Sequence, residues 1–114
     1  MDEKRLPVVF YQSLSGTEPV RDWLKNLTGE DRQRLGRDFR LVEIGWPVGM
    51  PLCRPLGGGL WEIRSHLTNN RIARVIFCAT QGQMVLLHGF IKKTQKTPHS
   101  DVDLARLRQK DIYL

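Results

Sequence analysis

Three runs of strand character, separated by links too short to hold anything but turns, constrain this chain more than any other feature. They cover Leu60–Leu67, Arg71–Ala79 and Met84–Ile91, joined by Thr68-Asn69-Asn70 and Thr80-Gln81-Gly82-Gln83. Short links rich in turn formers join neighbouring antiparallel strands, whereas a parallel crossover needs roughly a dozen residues or more. The three runs therefore predict an antiparallel meander.

Side chains alternate across a strand, so sequence parity assigns the faces. Glu62, Arg64 and His66 share one face, and Trp61, Ile63 and Leu67 the other. Trp61 and Ile63 should meet the helices, leaving Glu62 and Arg64 on the open face. Val75 to Ala79 is continuously apolar, as in a central strand buried on both sides. Arg71 and Arg74 are an odd number apart, so only one of them reaches the open face. The third run ends Phe90-Ile91-Lys92-Lys93, which puts a basic pair at the strand exit. His88 reads as a satisfied core histidine. Cys78 reads as a buried thiol, and with Cys53 it forms no metal-ligand spacing.

Upstream, Val8-Val9-Phe10-Tyr11 is a short β-rich run. Thr17 is placed to cap a helix with Glu18 and Pro19 in its first turn. Val20, Trp23, Leu24 and Leu27 then fall on one helical face. Thr28 with Asp31 marks the start of a second helix, whose buried stripe is Leu35, Phe39 and Val42, with Leu41 and Ile44 beside it. Gly45-Trp46-Pro47 ends it, because the residue before proline avoids the α region. Arg32, Arg34, Arg37 and Arg40 read as a solvated face. Val48–Gly59, with Pro51, Pro55 and three glycines, reads as a loop. Its glycines are no P-loop, since no Lys-Ser/Thr follows and the next element is a strand. Ser100-Asp101-Val102-Asp103 starts a short last helix with Leu104 and Leu107 on its apolar side.

The 114 residues suffice for one domain, read over 1–114, and hold no apolar run long enough to cross a bilayer. Met1–Leu6 has no apolar signal region, so a cytoplasmic protein is expected. The overall charge of +6 is concentrated: residues 56–98 carry six bases against the single acid Glu62. A local positive field suits an anionic partner, of which a phosphate backbone is the commonest. A lysine-rich loop kept soluble is the other reading.

The order of elements resembles the phage-derived, HigB-like branch of the RelE/ParE toxin superfamily. The segments that carry the resemblance are Pro55-Leu56-Gly57-Gly58-Gly59-Leu60-Trp61-Glu62-Ile63-Arg64, Arg71-Ile72-Ala73-Arg74, and Leu86 to Pro98. The last is the most specific, ending Phe90-Ile91-Lys92-Lys93-Thr94-Gln95-Lys96-Thr97-Pro98. The resemblance implies an α+β, RelE-like fold. Its small antiparallel sheet, the N-terminal strand plus the meander, packs against two N-terminal helices, with a short C-terminal helix. It also implies the toxin of a type II toxin–antitoxin pair, acting as a metal-independent endoribonuclease on messenger RNA in the ribosome. In that chemistry the ribose 2′-OH attacks the adjacent phosphate, leaving a cyclic phosphate and a free 5′-OH. No cofactor is implied; the partners are a helix-turn-helix antitoxin, the ribosome and the message.

Carried over by position, Arg64 matches a basic catalytic residue, Arg71 a phosphate-binding arginine and Lys93 a residue that stabilises the transition state. Glu62 joins this catalytic set, standing where RelE has a lysine, and Lys93 stands where RelE has an arginine. Set among cations, Glu62 would be a poor proton acceptor and a natural salt-bridge partner of Arg64, with His66 as an alternative base. Arg74, Lys92, Lys96 and His99 are the expected RNA contacts, His99 near the place of a functional tyrosine. Two other functions fit the same chain: a ParE-like inhibitor of DNA gyrase, and an inactive nucleic-acid- or antitoxin-binding module.

Overall fold

The computed structural model describes residues 3–112; the extreme ends of the domain read over 1–114, including part of the Met1–Leu6 segment, lie outside that range. Strand β1 (Val8–Phe10) leads to helices α1 (Pro19–Lys25) and α2 (Gly29–Gly45). Four strands follow, β2 (Cys53–Gly57), β3 (Leu60–His66), β4 (Ile72–Thr80) and β5 (Gln83–Lys92), and then α3 (His99–Ile112). All five strands form one sheet in the order β1-β5-β4-β3-β2. The α+β, RelE-like arrangement expected from the sequence is present. No helix among the described residues is long and apolar enough to cross a membrane.

The meander of β3, β4 and β5 is antiparallel throughout, as its short links require. Two details differ from the sequence reading. β1 pairs with β5 in parallel, Val8 opposite Met84, so the sheet is mixed. Part of the segment read as a loop is strand β2, antiparallel to β3 with Cys53 opposite Ile63 and Arg54 opposite Glu62. Pro55 sits on this outer strand, where a missing N–H can be tolerated.

Both helix starts follow local chemistry. Thr28 caps α2, its hydroxyl accepting from the Asp31 N–H at 3.2 Å. Thr17 does not cap α1; Glu18 holds the cap position, Pro19 opens the helix, and the Glu18 side chain turns to Arg21 at 3.1 Å. α1 and α2 cover one face of the sheet, where Val20, Leu24, Leu35, Phe39 and Val42 meet Ile63, Val75, Phe77, Met84 and Leu86. Trp46 closes this core edge-on against Trp61 and Phe77, with ring centroids 5.0 and 5.5 Å apart.

The other face is not open. α3 lies on it, with Ala105 over Ile76, Cys78, Val85, Leu87 and Phe90. Polar ties hold the helix down: Tyr11 donates to Asp111 at 2.5 Å, Arg108 to the Leu87 carbonyl at 2.8 Å, and Gln109 to the Gly58 carbonyl at 2.9 Å. Gly58 sits at φ +61°, and a Cβ there would run into the Arg106 guanidinium. The turn at Gly58 and Gly59 thus lies against the side chains of α3.

A bulge decides what β5 presents. Ile76 faces His88 but Phe77 faces Leu86, so Leu87 is an extra residue. Beyond it, His88, Phe90 and Lys92 fall on the α3 face, and Gly89 turns toward α1. A Cβ on Gly89 would lie 2.5 Å from the Trp23 indole. A rigid ring in a packed core cannot yield cheaply, and such overpacking costs about 1–3 kcal/mol. Gly89→Ala is therefore expected to lower the melting temperature by roughly 4–8 °C per kcal/mol lost. Gly36, exposed inside α2 with nothing within 4 Å of its would-be Cβ, is the control. Gly36→Ala should raise stability by about 0.5–1 kcal/mol. Thermal denaturation of both variants checks the pair.

Candidate functional site

The α3 face of β3 and β4 carries two arginines opposite each other. Arg64 pairs in register with Arg74, and Arg74 with Phe90 on β5. One row further along, Arg54, Glu62, Ile76 and His88 lie across four strands. Like charges directly opposite one another in a sheet repel, and here both are buried: Arg74 is 0% exposed and Arg64 8%. Burial, and then the charge of Arg64, push the Arg74 guanidinium below its usual pKa, with Glu62 acting the other way.

The compensation comes from Glu62 and from the chain that follows β5. Arg64 donates to Glu62 Oε1 at 3.0 Å, to the Gln95 carbonyl at 3.2 Å and to the Gln95 side chain at 3.0 Å. Arg74 donates to the carbonyls of Ile72 at 3.5 Å and Lys92 at 3.4 Å, and to that of Thr94. The Thr97 hydroxyl donates to the second Glu62 oxygen. Phe90 lends its ring, with Arg74 Cζ 5.8 Å and Lys92 Nζ 5.7 Å from the centroid. Arg74 Nε is buried without a hydrogen-bond partner.

α3 borders the cluster. Asp101 takes His88 Nε2 at 2.7 Å on one oxygen and Lys92 Nζ at 3.5 Å on the other. His88 also stacks on Phe90 at 5.5 Å, so it is a satisfied, half-buried histidine that ties β5 to α3. Lys93 and Lys96 are exposed on the segment between β5 and α3, and His99 is exposed at the first position of α3.

The structure therefore brings together Glu62, Arg64, Arg74 and Lys92, with Lys93, Lys96 and His99 at the rim. The expected convergence of Arg71 with Arg64 and Lys93 is not found. Arg71 precedes β4 and grips Asp31 of α2 with two bonds, at 2.8 and 3.0 Å, while also reaching Thr68. The parity rule allowed only one of the two arginines on this face, and it is Arg74. His66 lines a separate cleft of about 350 Å³ with Glu30, Arg34 and Arg37. Arg54 joins the cluster only through the pairing of β2 with β3, which the loop-like Val48–Gly59 sequence does not reveal; it is exposed beside Glu62 and adds to the positive field on Arg74.

Both thiols are buried. Burial, with the negative charge of Asp38, pushes Cys53 up to about 12, and burial raises Cys78 as well. Neither is a nucleophile at neutral pH. Among the described residues, no group of three or more His, Cys, Asp or Glu side chains is placed to hold a metal ion.

This fold, with a cationic cluster on one sheet face, is that of a small RelE-like α+β protein. The chain belongs to the phage derived protein Gp49-like (DUF891) family, whose model matches residues 22–110, and this family is RelE-like. A search of curated proteins finds no match.

The Asp31–Arg71 pair makes a prediction about pH. The Arg71 hydrogen bonds hold the Asp31 carboxyl below the usual carboxylate range, against the opposing effect of burial. A depressed folded-state pKa adds stability above the unfolded value of about 3.9 and loses it as pH falls through the folded value. Arg71→Gln should therefore melt below the parent at pH 7. The gap should narrow as pH falls below about 4. Melting curves across pH 2–7 measure it; a gap independent of pH would show that the pair does not supply the difference.

Proposed function

We propose that this protein is the toxin of a bacterial type II toxin–antitoxin pair, of the HigB-like branch, and that it cuts messenger RNA in the ribosome. The observation that carries this reading is the Arg64–Arg74 pair, buried side by side beneath a segment bearing Lys92, Lys93 and Lys96. In-line phosphoryl transfer needs positive charge held in advance around the oxygens of the transition state. Arg64 and Arg74 supply fixed donors for phosphate oxygens. Lys93, on the flexible reach of its side chain, meets charge that develops during cleavage. Lys92, Lys96, Arg54 and His99 suit the flanking phosphates.

Glu62 acts here through Arg64, as a positioning residue that orients the guanidinium. Arg71 ties the β3–β4 turn to α2 and takes no part in the chemistry. In the reaction, the ribose 2′-oxygen forms a bond to phosphorus as the bond to the 5′-oxygen breaks. The 2′-hydroxyl loses its proton and the departing 5′-oxygen gains one. The products are a cyclic phosphate and a 5′-OH end. A cognate helix-turn-helix antitoxin silences the protein by covering or distorting the Arg64–Lys93 face, or by blocking access to the ribosome.

The test is cleavage of message on programmed ribosomes by purified variants, with circular dichroism as folding control. Lys93→Ala and Arg64→Ala should each lose about 10²–10³ in rate. Lys93→Arg keeps charge and reach and should retain much of the activity, and Arg37→Ala should cut like the parent. Folded Lys93→Ala and Arg64→Ala proteins that cut at the parent rate would refute the site. Intact messages with broken DNA after induction would instead make the protein a gyrase inhibitor.

A further inference from the structure

The segment after β5 does more than carry lysines. Its backbone folds down onto the arginine pair, so that the carbonyls of Lys92, Thr94 and Gln95 all accept from Arg64 or Arg74. The lysine side chains of the same segment, Lys93 and Lys96, remain exposed. Neutral carbonyl oxygens thus stand where anionic oxygens would bind. Few side-chain ties hold the segment there: Gln95 to Arg64, Thr97 to Glu62, and an internal Thr94–Lys96 bond at 3.4 Å.

Arg74 shows what is missing from this arrangement. Its Nη2 donates to the Thr94 carbonyl, while Nε, on the same side of the guanidinium, is buried with no partner. A single carbonyl oxygen satisfies one arm of that fork. A phosphate, with two oxygens at the right spacing, satisfies both, and bonds from a guanidinium to an anion are roughly twice as strong as bonds to a neutral acceptor.

We propose that the Arg64–Arg74 pair is a masked oxyanion site, plugged by residues 93–97, which swing out as a strap when an RNA phosphodiester takes the place of the Thr94 and Gln95 carbonyls. This rests on the reading of the face as phosphate-binding and adds how the phosphate gets in. Opening frees the Arg74 fork and releases Arg64 from Gln95. It also uncovers the Glu62 oxygen held by Thr97. The displaced strap carries Lys93 and Lys96, which are then free to close on the RNA backbone from above. Apparent affinity is lowered by the fraction of time the strap is closed, so loosening it should tighten binding.

The experiment follows the arginine Nε–H and backbone amide resonances of the full chain by NMR. Inorganic phosphate and a short 2′-O-methyl RNA, which cannot be cut, are the titrants. The Arg74 Nε–H signal and the amides of residues 93–97 should shift together. The Gln95→Ala/Thr97→Val double variant, checked for fold by its amide spectrum, should bind the RNA about tenfold more tightly. RNA binding that shifts the Arg74 Nε–H signal but leaves the amides of residues 93–97 in place, with the variant no tighter, would overturn the strap while leaving the phosphate reading standing. No binding of either titrant by parent or variant would overturn both.

Discussion

Two guanidinium groups face each other inside one layer of this protein, and much of the surrounding structure answers to them. A buried charge without a partner costs several kcal/mol, and Arg64 and Arg74 also repel one another. Glu62, fully buried on the same strand as Arg64, supplies the nearest opposite charge. Most of the remaining donors are met by backbone carbonyls brought in from β4, from the end of β5 and from the segment beyond it, while Arg74 Nε has no partner. α3 then seals the cluster, its Asp101 holding Lys92 and His88 in place. A chain selected for stability alone would place apolar side chains at these two positions, since a well-packed hydrophobic replacement for a buried ionic cluster is often neutral or stabilising. The arrangement makes more sense as a site that trades stability for a preorganised positive field.

The meander was legible because its information is local. Alternation, short turns and the apolar run in β4 depend on neighbours in sequence, and the strands lie within a residue or two of their expected bounds. The same holds for the Thr28 cap and the Leu35–Phe39–Val42 stripe. Parity even limited the face to one of Arg71 and Arg74, without saying which. That choice is tertiary: Asp31, forty residues away at the head of α2, captures Arg71. β2 was hidden by Pro55 and its glycines, which suit an outer strand as well as a loop. With β2 went Arg54, whose place beside Glu62 exists only through strand pairing. The bulge at Leu87 also leaves no trace in the residue pattern, yet it turns Phe90 and Lys92 toward the arginines.

The family assignment and the site address different questions. Membership of the Gp49-like family, RelE-like and toxin-like, fixes the kind of protein. What the protein grips is argued from the face itself: buried arginines with one unfilled donor, a neutral backbone plug, and lysines displayed around the rim. We read these as the parts of a phosphate site held shut, with Arg74 in the place that the family resemblance gave to Arg71.

The most direct test of this account is the salt dependence of ribosome or RNA binding by the parent and by Arg64→Gln. Each phosphate contact releases condensed counterions, so log K should fall linearly with log salt, and loss of one contact should reduce the slope by about one. The account predicts a steep slope for the parent and a shallower one, by about one unit, for Arg64→Gln. Binding that ignores salt, or slopes that are identical in the two proteins, would contradict it.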